Sequence, residues 1–248
     1  MNDPFQIQPE LRYGAPVCDE LLTGRNFTIG YSWYFRQAKW TLEIVNPKKK
    51  LVTDDVERKD HFRADTRIPH GFRAGVKVYE KRGYHRGHLV ASANQDSEEI
   101  QNSETFLLSN ASPQKPGFNK GVWKKLENAV RKLNKHEDIL ETYVLTAPYF
   151  DYNKKIKVIG DREDEMGINI PVPHGFVKSI LAETNTGRLL LWTFMMENKK
   201  SDKPIEEFLK TTKYAEQVVG GKFWDRLSGD EIEKQKGQKN LISFKKYR

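Results

Sequence analysis

Two histidines, an arginine and a glycine occupy consecutive positions at His85, Arg86, Gly87 and His88, inside the run YHRGHLVASAN from Tyr84 to Asn94. A second run, SNASPQKPGFNKGVWKKLENAVRK from Ser109 to Lys132, adds Asn119, Glu127 and Arg131 among many lysines. Histidine changes charge near neutral pH and suits general-base work. Arginine presents a planar fork that matches a phosphate. An amide and a carboxylate on one helix supply oxygen ligands of the kind hard divalent cations take.

Cutting a phosphodiester needs those parts together: a base to activate water, positive charge for the phosphoryl oxygens, and a group to stabilise the leaving oxygen. If Asn119 opens a helix, then Asn119, Trp123, Glu127 and Arg131 step along one stripe, drifting about 40° per step. Asn119 and Glu127 are then about 12 Å apart along the axis, too far for both to ligate one ion directly. Helical side chains lean toward the N-terminus, so Glu127 can reach the ion's water while Asn119 binds the ion itself. That arrangement suits magnesium, which keeps much of its water shell.

Plainer readings stand beside these. His85 and His88 form an HxxH pair able to chelate zinc, but no third ligand lies near them in sequence. Asn119 is a natural helix N-cap. Glu127 and Arg131 make an ordinary i,i+4 pair, stabilising by a few tenths of a kcal/mol. Trp123 reads as packing. Asn110 is a candidate substrate contact, with a loop-holding role as its alternative.

The motifs RGH followed by LVASAN, LSNASPQ at Leu108–Gln114, and FNKGVWKKLE at Phe118–Glu127 with Arg131 beyond resemble the DNA/RNA non-specific endonucleases of the ββα-metal superfamily, most closely the endonuclease G branch. FRAD at Phe62–Asp65 and IPVPHGFVKSIL fit the same likeness, which extends from about Tyr13 to about Leu227. The resemblance implies His88 as general base and Asn119 as direct ligand of Mg²⁺ or Mn²⁺. It implies Glu127 as holder of the ion's water, and Arg86 and Arg131 as phosphate or transition-state contacts. It also implies a ββα-metal (His-Me finger) site, DNA and RNA as substrates, products with a 5′-phosphate, and frequent homodimers. One position departs from the pattern: the family usually has aspartate before the arginine, and this chain has His85. A neutral imidazole is a poorer acceptor than a carboxylate, and a protonated one repels a cation. Two readings follow, a nuclease with altered metal or pH preference and a catalytically impaired nucleic-acid-binding protein.

The elements that must position these residues are partly visible. FTIGYSWYF at Phe27–Phe35 and WTLEIV at Trp40–Val45 read as an antiparallel pair. Residues 11–24 read as mostly irregular, and residues 47–75 as a long, functional loop. Val76–Tyr79 reads as a short strand, Thr105–Ser109 as a buried strand, and residues 110–119, with Pro113, Pro116 and Gly117, as a structured loop. From Lys120, Val122, Trp123, Leu126, Val130 and Leu133 recur at helical spacing. Strands are expected at 141–149, 176–182 and 189–195, the last two joined by ETNTGR. One or two short helices are expected after Pro204, capped by Asp202 and stopped by Gly220 and Gly221. Together these give one α+β domain over 1–230, a central mostly antiparallel sheet flanked by helices, and a loosely held basic tail over 231–248.

Composition agrees with that scheme. Of 248 residues, 37% are hydrophobic and 31% charged, and no run approaches the roughly 20 apolar residues of a membrane helix. Forty-two Lys and Arg against 34 Asp and Glu leave a formal charge of +8, which favours a polyanionic partner. The lone Cys18 has no intrachain disulfide partner. With no signal or transit pattern in MNDPFQIQPELRYG, the expected location is the cytoplasm. An unselective nuclease there would threaten its own cell, so an inhibitor or activating partner is expected.

Overall fold

The computed structural model describes residues 8–45, 59–80, 82–160 and 168–247. Its frame is a seven-stranded sheet in the order β1-β2-β3-β6-β9-β10-β11. The strands are β1 (Glu20–Thr23), β2 (Phe27–Ser32), β3 (Gln37–Ile44), β6 (Ile139–Tyr149), β9 (Gly175–Thr184), β10 (Leu189–Glu197) and β11 (Leu209–Lys210). Every pairing in it is antiparallel. Two-stranded ribbons join β4 (His85–His88) to β5 (Ala111–Gln114) and β7 (Val158–Ile159) to β8 (Ile170–Pro171). The helices are α1 (Glu99–Glu104), α2 (Pro116–Phe118), α3 (Lys124–Asn134), α4 (Thr212–Val219), α5 (Asp230–Lys236) and α6 (Leu241–Tyr247).

The central strands are covered on both faces, which is why they are nearly continuous in apolar residues rather than alternating. Val144, Phe176, Ile180, Trp192 and Phe194 pack on one side with Leu126, Val130 and Leu133 of α3. Tyr143, Leu145, Leu181 and Leu191 pack on the other with Ala215 of α4, Phe223 and Trp224. Each large side chain buried in this way stabilises the fold by roughly 1.5–3 kcal/mol. Helix α4 has the local signals its sequence advertises: the Thr211 hydroxyl accepts from the Tyr214 N–H at 3.2 Å, and Gly220 ends it at φ 75°.

Several expectations need correction. Residues 11–24 contain β1, which pairs with β2 from Glu20↔Tyr31 to Thr23↔Thr28. Val76–Tyr79 is a 3₁₀ turn, and Pro204, not Asp202, precedes the 3₁₀ turn Ile205–Phe208. The strand expected at Thr105–Ser109 falls later, as β5, where Pro113 lies opposite Arg86. A two-stranded ribbon leaves each strand one unpaired edge, so proline's missing N–H is tolerated there. The first part of the loop expected over 47–75 lies outside the described residues.

The tail is the largest correction. Residues 231–247 are not loosely held: α5 and α6 pack back onto β10. The Phe244 ring lies 4.8 Å from Phe194 and 5.9 Å from Trp192. The Trp192 indole N–H donates to the Ser243 hydroxyl at 2.8 Å, and the Leu191 N–H donates to the Gln235 side-chain oxygen at 3.1 Å. Low apolar content misled because a few well-placed anchors, Ile232, Phe244 and Tyr247, suffice to hold two short helices. Phe244→Ala is expected to lower stability by about 3–5 kcal/mol, the usual range for a buried phenylalanine. Urea unfolding measures this, and a change within error would restore the loose tail.

Candidate active site

Strand β4 lies antiparallel to β5 with His85 opposite Gln114 and Gly87 opposite Ser112. The chain then runs through α2 into a wide, kinked turn at Asn119–Trp123 and on into α3. Gly121 has non-helical angles, φ −99° and ψ −115°, so the stripe from Asn119 to Arg131 is not one straight helix. The break divides the labour: Trp123 is buried against Phe118 and Phe176, while Asn119 is on the side of the ribbon. Asn119 is therefore not the cap of α3. Its Nδ2 donates to the Gln114 Oε1 at 2.6 Å, which leaves the amide oxygen as its acceptor toward the cleft.

Glycine at position 87 has a steric reason. A Cβ there would stand 2.1 Å from the Gln114 side-chain carbon, so only glycine lets Gln114 cross the ribbon to Asn119. His85, directly opposite Gln114, shares that face. Arg86 and His88 alternate to the other face, where Phe62 serves both. The Arg86 guanidinium lies 5.0 Å from the Phe62 ring centre, and the His88 ring lies 5.0 Å from Phe62 and 4.9 Å from Phe106. Two aromatic walls thus set the plane of the imidazole.

Six of the seven residues singled out from sequence, His85, Arg86, His88, Asn119, Glu127 and Arg131, line one cleft of about 500 Å³. Lys120, Lys124 and Asp60 line it too. The cleft thus sets Arg86, Lys120, Lys124 and Arg131 against the carboxylates Asp60 and Glu127, a balance that attracts a polyanion. At its wall, the Lys115 ammonium sits 4.2 Å from the centre of the Tyr84 ring. Arg131 is held by the Asn94 side-chain oxygen at 2.9 Å and by Asn128.

Asn110 does not belong to this set. It is fully buried, its Nδ2 donating to the carbonyls of Val90 at 3.0 Å and Thr105 at 2.9 Å, and its Oδ1 accepting from the Val90 N–H at 2.9 Å. It clamps the chain just after His88, and with both amide hydrogens committed it has no donor for a substrate. Phe62 and Asn94 are positioning residues that motif reading left without a role, and Gln114, expected to hold a loop rather than touch substrate, positions Asn119. FRAD and LVASAN were visible as motifs, but contacts across the chain were not.

Among the described residues, no three His, Cys, Asp or Glu side chains are grouped to cage a metal. The donors present, one oriented amide oxygen and the carboxylate of Glu127, fit an ion that keeps most of its water, as Mg²⁺ does, and do not fit a closed zinc site. Also among the described residues, no helix is long and apolar enough to cross a membrane.

The sequence profile of the DNA/RNA non-specific endonucleases matches residues 10–230. The chain is 30% identical over 248 residues to mitochondrial endonuclease G of Caenorhabditis elegans, covering 95% of this chain and 78% of that one. It is 33% identical over 225 residues to a nuclease of Syncephalastrum racemosum, covering 86% and 69%. It is 31% identical over 219 residues to human mitochondrial endonuclease G, covering 84% and 71%. Among solved structures, the EndoG/EndoGI inhibition complex contains a chain that matches with a TM-score of 0.80 at 30% identity, over 93% of this chain and 96% of that one. Gly87→Ala is expected to displace Gln114, release Asn119 and lower turnover on plasmid DNA at least tenfold; unchanged turnover would remove Gln114 from the site.

Proposed function

The chain belongs to the DNA/RNA non-specific endonuclease family and is an endonuclease, and from that premise we propose that its reaction is metal-dependent hydrolysis centred on His88 and Asn119. The observation that carries this reading is the shared cleft: His88, Arg86, Asn119, Glu127 and Arg131 line it together, and Asn119 is tied through its NH₂ to Gln114 with its oxygen left as acceptor. His88 takes the proton from the attacking water. Arg86 and Arg131 contact the phosphate and offset the charge that builds on its oxygens. Asn119 would hold Mg²⁺ or Mn²⁺, and Glu127 would serve as acceptor for water that the ion carries. When bound, the ion supplies positive charge at the leaving oxygen. The substrates are DNA and RNA, and the product carries a 5′-phosphate.

His85 stands on the Asn119 side of the ribbon, opposite Gln114, where a carboxylate would otherwise help orient the ion's water. That position is the observation that favours the second reading, a nucleic-acid-binding protein with weakened chemistry. Plasmid DNA and single-stranded RNA incubated with Mg²⁺, Mn²⁺ or EDTA separate the two. Cutting that needs the metal and falls about 10²–10⁴-fold in His88→Ala supports the proposal. Gel retardation without metal-dependent cutting sinks it. Faster cutting by His85→Asp shows that the histidine costs activity.

Two assembly expectations accompany this reading: a homodimer, and a gating partner, the latter supported by a similar chain solved in the EndoG/EndoGI inhibition complex. Sedimentation at twice the monomer mass supports the first, and growth arrest by the overproduced active chain supports the second. A monomer or normal growth counts against each in turn.

A further inference from the structure

Beneath the cleft, on the sheet face that carries α3, two opposite charges are buried where neither the base nor the ion site needs them. Glu43 of β3 and Lys178 of β9 are each 1% exposed. They flank β6, whose Val144 pairs with Glu43 and whose Thr146 pairs with Lys178. The Lys178 ammonium donates to the Thr146 hydroxyl at 2.8 Å and lies 4.6 Å from the Trp123 ring centre. Apolar side chains of similar volume are often as stabilising as a buried ion pair, so stability alone is a weak reason for charges here.

The hydrogen bonds give a stronger one. Glu43 Oε1 accepts from the Asn94 Nδ2 at 3.1 Å, and Oε2 accepts from the Gln95 Nε2 at 3.0 Å. Gln95 is itself oriented, donating to the Ile44 carbonyl at 2.9 Å and accepting from Gln101 at 2.6 Å. A carboxylate only accepts, so it dictates which end of the Asn94 amide faces it. The other end, Oδ1, must then face Arg131, which donates to it at 2.9 Å. Burial outweighs Lys178, Gln95 and Asn94, which each favour the charged form, and leaves the Glu43 carboxyl raised to about 7. Glu127 and Arg131 complete the set of charges felt around the pair.

We propose that Glu43 is a positioning residue for catalysis: through Asn94 it fixes the Arg131 guanidinium in the cleft, with Lys178 as its buried counter-charge. The inference rests on the reading of Arg131 as a phosphate contact. In Glu43→Gln, the new amide offers one oxygen where two donors now meet two, so Asn94 or Gln95 faces an NH₂ group. Asn94 turns over and presents its own NH₂ to Arg131, and the guanidinium loses one of its two side-chain acceptors, keeping only Asn128 on its own helix.

The test is a double-mutant cycle on the full chain with Mg²⁺ and a duplex DNA substrate, reading kcat, KM and the urea midpoint for the parent, Glu43→Gln, Arg131→Ala and the double variant. Glu43→Gln is expected to lower kcat at least tenfold with KM changed less than threefold, and to cost nothing further once Arg131 is alanine. A residue that merely supports the fold would add its cost in both backgrounds, and that additive result overturns the proposal, as does unchanged kcat in Glu43→Gln. Should Glu43→Gln fail to fold, Asn94→Ala enters the same cycle with the same expected and overturning outcomes. Arg131→Ala alone checks the underlying reading: full activity in that variant removes Arg131 from the chemistry, whereas an impaired Arg131→Ala with additive cycle costs overturns only the role of Glu43.

Discussion

One hydrogen bond organises the active-site half of this molecule: the Asn119 amide donating to Gln114 across the ribbon. It exists because Gly87 carries no side chain, so Gln114 can occupy the space a Cβ would fill. It also requires the chain to leave helical geometry at Gly121, since a straight helix from Asn119 would carry the amide around the same cylinder as Trp123. A glycine in β4, a glutamine in β5 and a wide turn ahead of α3 are therefore parts of one constraint.

The same economy governs His88, the proposed base. His88 sits between Phe62 and Phe106, and Phe62 also carries Arg86, so one aromatic residue from the segment before β4 aligns two of the cleft's functional groups. Asp65, three residues on, receives the Arg67 guanidinium at 2.7 Å and the Ser109 hydroxyl at 2.6 Å, tying that segment to the turn before β5. Burial pushes the Asp65 carboxyl up, but these hydrogen bonds outweigh it and hold it below its ordinary range. Asn110 then fastens the chain after His88. The histidine is thus held by Phe62 at the cleft wall and by Phe106 and the Asn110 clamp behind it, the precise placement that the proposed role of general base demands.

The large sheet contributes rigidity and a floor. Strands β3, β6 and β9 are buried on both faces, and on the face under α3 they carry a polar strip, Thr41, Glu43, Thr146 and Lys178, within an otherwise apolar layer. Polar groups buried so deeply cost several kcal/mol unless hydrogen-bonded; Lys178 and Thr146 satisfy each other, and Glu43 is satisfied by Asn94 and Gln95, which lead back to the cleft. Packing and site are therefore coupled through α3: its apolar stripe anchors it to the sheet, and the half-buried flank beside that stripe presents Glu127 and Arg131 to the cleft.

The residues that share the cleft were legible in the sequence because their types suit the tasks proposed for them. RGH, Asn119, Glu127 and Arg131 stand at spacings that suggested one site, and the periodicity of Leu126, Val130 and Leu133 showed the helix that carries two of them. The antiparallel core was legible for the same reason, its strands being continuous apolar runs broken by turns such as the one containing Gly187. What only the tertiary structure decided were contacts between distant segments: Phe62 on His88, Gln114 on Asn119, Asn94 on Arg131, and the docking of α5 and α6. Asn110 shows the limit from the other direction, a polar residue inside a functional motif whose hydrogen bonds all turn inward. Residue type and local spacing record what a side chain can do; its partners depend on chain reversals many residues away, and no local pattern encodes which of its polar atoms those reversals leave free.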